Sequence, residues 1–525
     1  MPTPPVRSSK SKTLRCSPDE IRLAIERFLA ASQQPALFEP GEIPMSIVPE
    51  QFHLEPIRDT MLRLTVWDGT RTLSRKIFDC EEFHRARLVL HVEHFGGTKG
   101  TVILADLGAA ANASLPQRGR RTIKRELVRA SLARQYPGWR IAELTTEPDL
   151  AHSLSPTYPR AWLRKGTQGI AAIAAPDAAS ANGALTFGLI WLDYLRRRDP
   201  RTITHTLAVF VPAGAEVDTA LRLRYLDPSQ VSTELFQCSP DGYEDRVDPS
   251  LPFNLDTRLL PPEPADLHGR SAIEQAIRNV PGVEAIETND RSISFRVRGL
   301  EVARRAAGPN GQITFGIETK REATASHVSE IVELLNYVSQ HRDPEMSHQG
   351  HALFRRNPEC WFESQVRARP DILDASLCPD PIYGQVPAMA GARPRSSFDR
   401  DGTEKGASYR ADRDLIDLLA VGRSGRLSVI ELKTSEDIHL PMQGLDYWIR
   451  VKWHLERGDL DGYFPGITVA RTVAPKLLLV SPALNVHPAN EIVIRYFAPE
   501  VDVEQIGVGV EWRKELRVLF RRGRN

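Results

Sequence analysis

The chain reads as a multidomain protein of α/β and α+β units, on three observations. Short apolar runs rich in branched residues alternate with helix-period stretches along most of its length. At 525 residues, 41% hydrophobic and 26% charged, it is long enough for about three domains, each burying its own core. One pattern of helix, buried strand and Arg-Tyr pair also occurs in both halves.

In chain order, residues 1–50 open with a polar Pro/Ser/Lys-rich stretch, Met1 to Arg15, and are expected to be partly disordered. Residues 51–238 read as an α/β domain. Residues 239–266, with Pro261-Pro262-Glu263-Pro264, read as a linker. Residues 267–345 predict a small α+β domain: a helix from Ala272 to Asn279, strands Ser292–Val297 and Ile313–Ile317, and an amphipathic helix from Ala325 to Gln340. Residues 346–525 form the last domain.

That last domain carries the clearest chemistry. Ile416 to Val421 and Leu427 to Leu432 are short, branched-residue runs joined by Gly422-Arg423-Ser424-Gly425, the pattern of a β-hairpin. The strand period of two puts Glu431 and Lys433 on one face, and Asp417 has only to share it. Two carboxylates so placed suit Mg²⁺ or Mn²⁺ through oxygen ligands, and a neighbouring ammonium can orient water or offset charge on phosphorus. The alternative reading of Glu431 and Lys433 is an ion pair at a strand edge, which contributes little. A second Glu-x-Lys, Glu318-Thr319-Lys320, follows an interrupted segment and reads as a solvated strand end. Its upstream acid, Glu301, is expected to pair locally with Arg304 or Arg305.

Asp417, then Glu431-Leu432-Lys433, then Gln443 and Tyr447 in the following helix resemble the PD-(D/E)XK nuclease superfamily, most closely its RecB-like branch, over roughly residues 345–500. The resemblance implies a restriction-endonuclease-like mixed sheet flanked by helices. It implies metal ligation by Asp417, Glu431 and the Leu432 carbonyl, water orientation by Lys433, and support from Gln443 and Tyr447. An acid on the helix before the hairpin is also implied, and Glu363 is the candidate. The activity it implies is Mg²⁺- or Mn²⁺-dependent hydrolysis of nucleic acid, DNA first, in repair, restriction or defence. The alternative is a catalytically silent nucleic-acid-binding or scaffold protein on the same fold. The segment Ala388 to Arg413 is long, polar and Gly/Pro-containing where many members are compact, and reads as a loop over the cleft or as disorder.

The repeated pattern suggests a degenerate copy in the N-terminal half. Asp446-Tyr447 and the strand ending at Pro482 are matched by Asp193-Tyr194 and the strand ending at Pro212. Pro482 precedes Arg495-Tyr496 by 13 residues, and Pro212 precedes Arg224-Tyr225 by 12. The helix around Arg125–Val128 would then stand where the Glu363 helix does. Gly169–Ala174 and Ala184–Phe187 would form the counterpart hairpin, without the Asp or Glu-x-Lys.

The formal net charge is +1, so nucleic acid would have to be gripped by local patches. Arg118, Arg120 and Arg121, then Arg196–Arg198, then Arg513 to Arg524 are candidates, each also readable as a solvated helix face or terminus. Cys16, Cys80, Cys238, Cys360 and Cys378 are scattered without a Cys-x-x-Cys pair, which argues against a zinc cluster or disulfide framework. His348-Gln349-Gly350-His351 reads as a loop. No apolar run reaches the about 18 residues of a membrane span, and a cytoplasmic location without membrane contact is expected.

Overall fold

The computed structural model describes residues 16–32, 35–38, 45–47, 51–57, 61–67, 72–82, 87–93, 99–106, 117–239, 244–250, 259, 271–288, 292–308, 311–345, 350–388 and 415–524. It is a mixed α/β chain with four sheets among the described residues, divided into two compact units: residues 1–216 with 234–247, and residues 217–233 with 248–525.

In the first unit, helix α1 (Pro18–Ala31) starts at a capping box in which Ser17 and Glu20 exchange hydrogen bonds. Its stripe of Ile21, Ile25 and Phe28 packs on an antiparallel sheet. The strands are β1 (Pro35–Phe38), β2 (Met45–Ser46), β3 (Phe52–Ile57), β4 (Met61–Trp67), β5 (Thr72–Glu82), β6 (Arg87–Glu93) and β7 (Lys99–Asp106), ordered β2-β1-β7-β6-β5-β4-β3. Strand period is plain in β4, where Leu62, Leu64 and Val66 enter the core. A helix and two strands thus come from residues before 51, while residues 1–15 lie outside the described residues.

The same unit holds a mixed sheet. Helix α2 (Gln117–Gln135) precedes β8 (Arg140–Thr145), β9 (Arg160–Lys165) and β10 (Gln168–Ala174). Helix α3 (Ala178–Arg198) leads to β11 (Ile203–Pro212); the chain then runs through α4 (Glu216–Leu223), nearly all of which belongs to the second unit, before β12 (Ser232–Cys238) and β13 (Glu244–Val247). The order is β13-β12-β11-β10-β9-β8, with β8, β9 and β10 antiparallel in succession and β10 parallel to β11. The stretch 51–238 therefore spans two sheets. Two sequence expectations are corrected. Ala184–Phe187 is the middle of α3, not a strand, and the partner of β10 is β9. A four-residue apolar run has no readable period; here it belongs to a helix that is buried nearly all round. The expected linker 239–266 also contains β13, a polar strand held by β12 and by Ser131 and Arg134, which both donate to Glu244.

The second unit begins with a five-stranded antiparallel sheet, β14 (Val283–Glu287), β15 (Ile293–Val297), β16 (Leu300–Arg305), β17 (Ile313–Phe315) and β18 (Arg321–Glu322), in chain order. Helices α5 (Ala272–Arg278) and α6 (Val328–His341) supply Ile277, Ile331, Leu335 and Val338 to a core with Phe295, Val302 and Phe315. Glu301 pairs with Arg304 at 2.6 Å and with Lys320 at 3.2 Å, the local role expected for it.

Then come α7 (Ala352–Arg355), α8 (Pro358–Ala368), β19 (Tyr383–Pro387), β20 (Leu415–Val421), β21 (Leu427–Leu432), α9 (Leu440–Arg457), β22 (Lys476–Pro482), α10 (Ala489–Arg495), β23 (Asp502–Val508) and β24 (Val518–Gly523). They build a six-stranded sheet in chain order: β19, β20 and β21 antiparallel in succession, β21, β22 and β23 parallel, and β24 antiparallel. Trp361, Phe362 and Val366 of α8 close one face over Leu418, Ile430, Leu432 and Leu478. On the other face Gly444 lets α9 lie against Leu477 and Leu479, since a Cβ there would come within 2.5 Å of Leu479.

Two buried arginines tie this unit together. Arg342 donates to the carbonyls of Leu353 (2.6 Å), Arg356 (2.7 Å) and Arg298 (2.8 Å), and lies over the Trp361 ring. Arg222 of α4 grips Asp446 of α9 through two 2.6 Å bonds. Alongside, the two Arg-Tyr motifs pair: Asp227 N–H donates to Tyr496 O at 2.8 Å, and Ala498 N–H to Tyr225 O at 2.7 Å. Among the described residues no helix is long and apolar enough to cross a membrane. Residues 389–414, most of the long segment expected between β19 and β20, lie outside the described residues.

Candidate active site

The hairpin β20–β21 forms as its pattern suggests, with Leu418 opposite Ile430 and Val421 opposite Leu427. Gly425 in its turn has φ +80° and a Cβ there would come within 2.1 Å of Thr468 O, so only glycine fits. Leu418 and Ile430 are the last pair of this ladder, and Asp417 and Glu431 lie one step beyond its end. Leu432 N–H donates instead to Asp417 Oδ2 at 2.9 Å, while Lys433 N–H turns to Val480 O on β22 at 3.0 Å. A strand residue's N–H and C=O point to the same side, so the Leu432 carbonyl also faces β20.

Glu431 and Lys433, two apart, share a face, and Lys433 Nζ lies 3.2 Å from Glu431 Oε1. These side chains are deeply buried: Glu431 is 0% exposed, Asp417 and Lys433 5% each. Gln443 and Tyr447 stand one turn apart on α9, the Gln443 amide donating to the Tyr447 hydroxyl at 3.3 Å. Burial pushes the Tyr447 phenol well above its ordinary pKa, and the nearby Glu431 and Asp417 carboxylates add to the effect. The phenol is thus a neutral group beside both acids.

On the opposite flank, Gln385 of β19 stands across from Asp417 in register. Its Nε2 donates to Asp417 Oδ1 at 3.3 Å and to Glu363 Oε2 at 3.1 Å. Glu363, on α8, is also paired with Arg367 one turn along. The helix acid is therefore one amide away from Asp417. Gln385 adopts φ +53°, a left-handed conformation that a side-chain-bearing residue rarely holds without a constraint. No motif in the sequence singles out Gln385; its role depends on β19 pairing with β20 across the long segment between them.

Asp417, Glu431 and the Leu432 carbonyl offer hard oxygen donors suited to Mg²⁺ or Mn²⁺. Among the described residues, Asp417 is held only by neutral donors, a backbone N–H and an amide, which leaves its charge available to a cation. No cluster of three or more His, Cys, Asp or Glu side chains gathers as a metal site among the described residues.

The remaining candidates are placed as follows. Arg118, Arg120 and Arg121 fall in the first turns of α2, with side chains outside the described residues. The Arg196–Arg198 run is structurally engaged: Arg196 donates to Thr204 O, Arg197 pairs with Asp193, and Arg198 pairs with Glu143. In the tail, Arg521, Arg522 and Arg524 pair with Glu504, Glu491 and Asp227. His348 lies outside the described residues, and His351 caps α7 by accepting from Leu353 N–H at 3.2 Å. The five cysteines are free thiols. No protein-family model, curated protein sequence or solved structure matches the chain.

Proposed function

We propose that this chain is a divalent-metal-dependent phosphodiesterase that hydrolyses nucleic acid, DNA in the first instance, on a restriction-endonuclease-like C-terminal module of the PD-(D/E)XK type. One observation carries the reading: beyond the last β20–β21 pair, Asp417 accepts from Leu432 N–H at 2.9 Å, and Lys433 lies 3.2 Å from Glu431 on the neighbouring positions. Three independent sequence positions thus converge on one point, and Gln443, Tyr447, Gln385 and Glu363 surround it.

Asp417 and Glu431, with the Leu432 carbonyl, are the groups that would hold Mg²⁺ or Mn²⁺. The cation would supply Lewis-acid charge at the phosphoryl oxygens and make a bound water more acidic. Lys433 holds its ammonium in a nearly dry site, where it can orient the attacking water or offset charge developing on phosphorus. Tyr447 stays protonated and can donate to Gln443, to the acids or to substrate oxygen. Gln385 and the Leu432 N–H fix the orientation of the Asp417 carboxylate.

A second reading rests on burial. With Asp417, Glu431 and Lys433 each at most 5% exposed, the acids could serve as a closed ion-pair network in a nucleic-acid-binding or scaffold protein without catalysis. Purified protein incubated with labelled single- and double-stranded DNA and RNA, with Mg²⁺, Mn²⁺ or EDTA, separates the two. Metal-dependent cleavage that Lys433→Ala abolishes is the expected result; identical products from the variant, or no cleavage of any substrate, would end the nuclease reading.

A further inference from the structure

The second unit contains a narrow cleft whose wall runs from the five-stranded sheet to Glu363 and Gln385 beside the candidate active site. One side is Ile286, Glu287, Thr288, Arg296 and Arg304, from or beside β14, β15 and β16; the other is Cys360, Glu363, Arg367, Gly384 and Gln385. Gln385 belongs to both places, since its amide also donates to Asp417. A group lying in this cleft is therefore next to the proposed reaction centre.

Three guanidinium groups face the cleft, and they are not equivalent. Arg304 is committed to Glu301 and Ser292, and Arg367 to Glu363. Arg296 donates through Nε to Ser294 Oγ at 3.0 Å, which fixes the plane of its head group. Its nearest acid among the described residues is Glu363, 4.0 Å from Nη1, beyond hydrogen-bonding distance. Arg296 thus presents two terminal nitrogens, oriented and largely shielded from water at 12% side-chain exposure, to the space beside Glu363 and Gln385. A planar guanidinium held in this way matches two oxygens of a phosphodiester.

We propose that a phosphate of one nucleic-acid strand docks at this narrow cleft, next to the scissile phosphate, with Arg296 as its contact and the five-stranded sheet as a substrate clamp. The proposal rests on the nuclease reading and names the substrate element that reading leaves open. It also accounts for the left-handed Gln385, which is the shared wall between clamp and reaction centre.

The test is binding of a fluorescent 20-nucleotide single-stranded DNA in EDTA across a salt series, for the wild type, Arg296→Gln, Arg296→Ala and Arg296→Lys. Arg296→Gln keeps a polar chain of similar reach if Arg296→Ala fails to fold, and melting curves check both. The expected result is affinity about tenfold weaker in Gln and Ala, with a salt slope shallower by about 0.7, the loss of one phosphate contact. Arg296→Lys should keep the slope and lose part of the affinity, because the charge remains without the fork. An unchanged slope in Arg296→Gln, while wild-type cleavage with Mg²⁺ persists, overturns the cleft proposal and leaves the nuclease reading in place. Binding of inorganic phosphate that needs Arg296, with no effect of the variants on the oligonucleotide, also overturns it. Wild-type protein that neither binds nor cuts any nucleic acid removes both.

Discussion

The two mixed sheets, β8–β13 and β19–β24, share strand order and, at their first three pairings, strand direction, yet only the second carries acids at the open end of its hairpin. The correspondence extends to single atoms. After β21, Lys433 N–H donates to Val480 O at 3.0 Å; after β10, Ala175 N–H donates to Phe210 O at 2.8 Å. A glycine brings the helix down in each: Gly444 against Leu477 and Leu479, Gly188 against Ile173 and Leu207. With Ala175 set on Lys433, Ile173 falls on Glu431, and Arg160, opposite Ile173, falls on Asp417. The glycines also set Trp191, rather than Tyr194, on Tyr447, three residues from the pairing that the Asp-Tyr motifs suggest. In the first sheet Arg160 is 4% exposed, donates to Glu147 O at 2.6 Å and lies over Trp191. The strand order is the same and the side chains differ: where one sheet has a buried carboxylate, the other has a buried guanidinium that donates to backbone carbonyls.

That comparison can be broken most directly at Lys433. Lys433→Ala should lower cleavage by about a thousandfold in single-turnover assays while nucleic-acid affinity changes little, because its effect is realised in the transition state. Arg160→Ala should do the reverse: leave cleavage near wild type and destabilise by about 1–3 kcal/mol in urea denaturation, since buried carbonyls lose their donor. Equal loss of cleavage in both variants would mean that the two sheets do not divide architecture from chemistry.

A second test removes the buried Arg222–Asp446 contact. Arg222→Ala strands Asp446 beside Tyr447 and should cost about 3–5 kcal/mol of stability, read from the urea midpoint. A loss below about 1 kcal/mol would show that water reaches Asp446.

A smaller effect is expected from the metal. Mg²⁺ or Mn²⁺ at about a hundred times its Kd stabilises by about 2.7 kcal/mol, which should raise the melting temperature by several degrees in the wild type and not in Asp417→Asn. Equal shifts in both proteins would place the ion elsewhere.

The smallest concerns Tyr447. Its phenol has a folded-state pKa raised above the unfolded value of about 10, so its contribution to stability is complete below that pH and declines as pH rises past it. Wild type should therefore lose more stability than Tyr447→Phe between pH 10 and 11. Cleavage should show no decline attributable to this phenol between pH 8 and 10. An ionisation at Tyr447 seen below pH 10 by ultraviolet difference absorbance would contradict its placement beside the two acids.

What the sequence by itself determined was local: the β20–β21 hairpin, the shared face of Glu431 and Lys433, the one-turn spacing of Gln443 and Tyr447, and the Glu301–Arg304 pair. Each follows from a period of two or 3.6 residues, or from the reach of a side chain over a few positions. The Arg-Tyr repeat was legible as well, because equivalent helices end at matching distances from equivalent strands. Tertiary structure decided what sits across from what. Gln385 meets Asp417 only because β19 pairs with β20, Arg296 comes within 4.0 Å of Glu363 only because a second sheet is held against α8, and Ala184–Phe187 is helical because α3 is buried nearly all round. Strand order, register between distant segments and the packing of one sheet on another depend on contacts far apart in the chain, for which local spacing carries no signal.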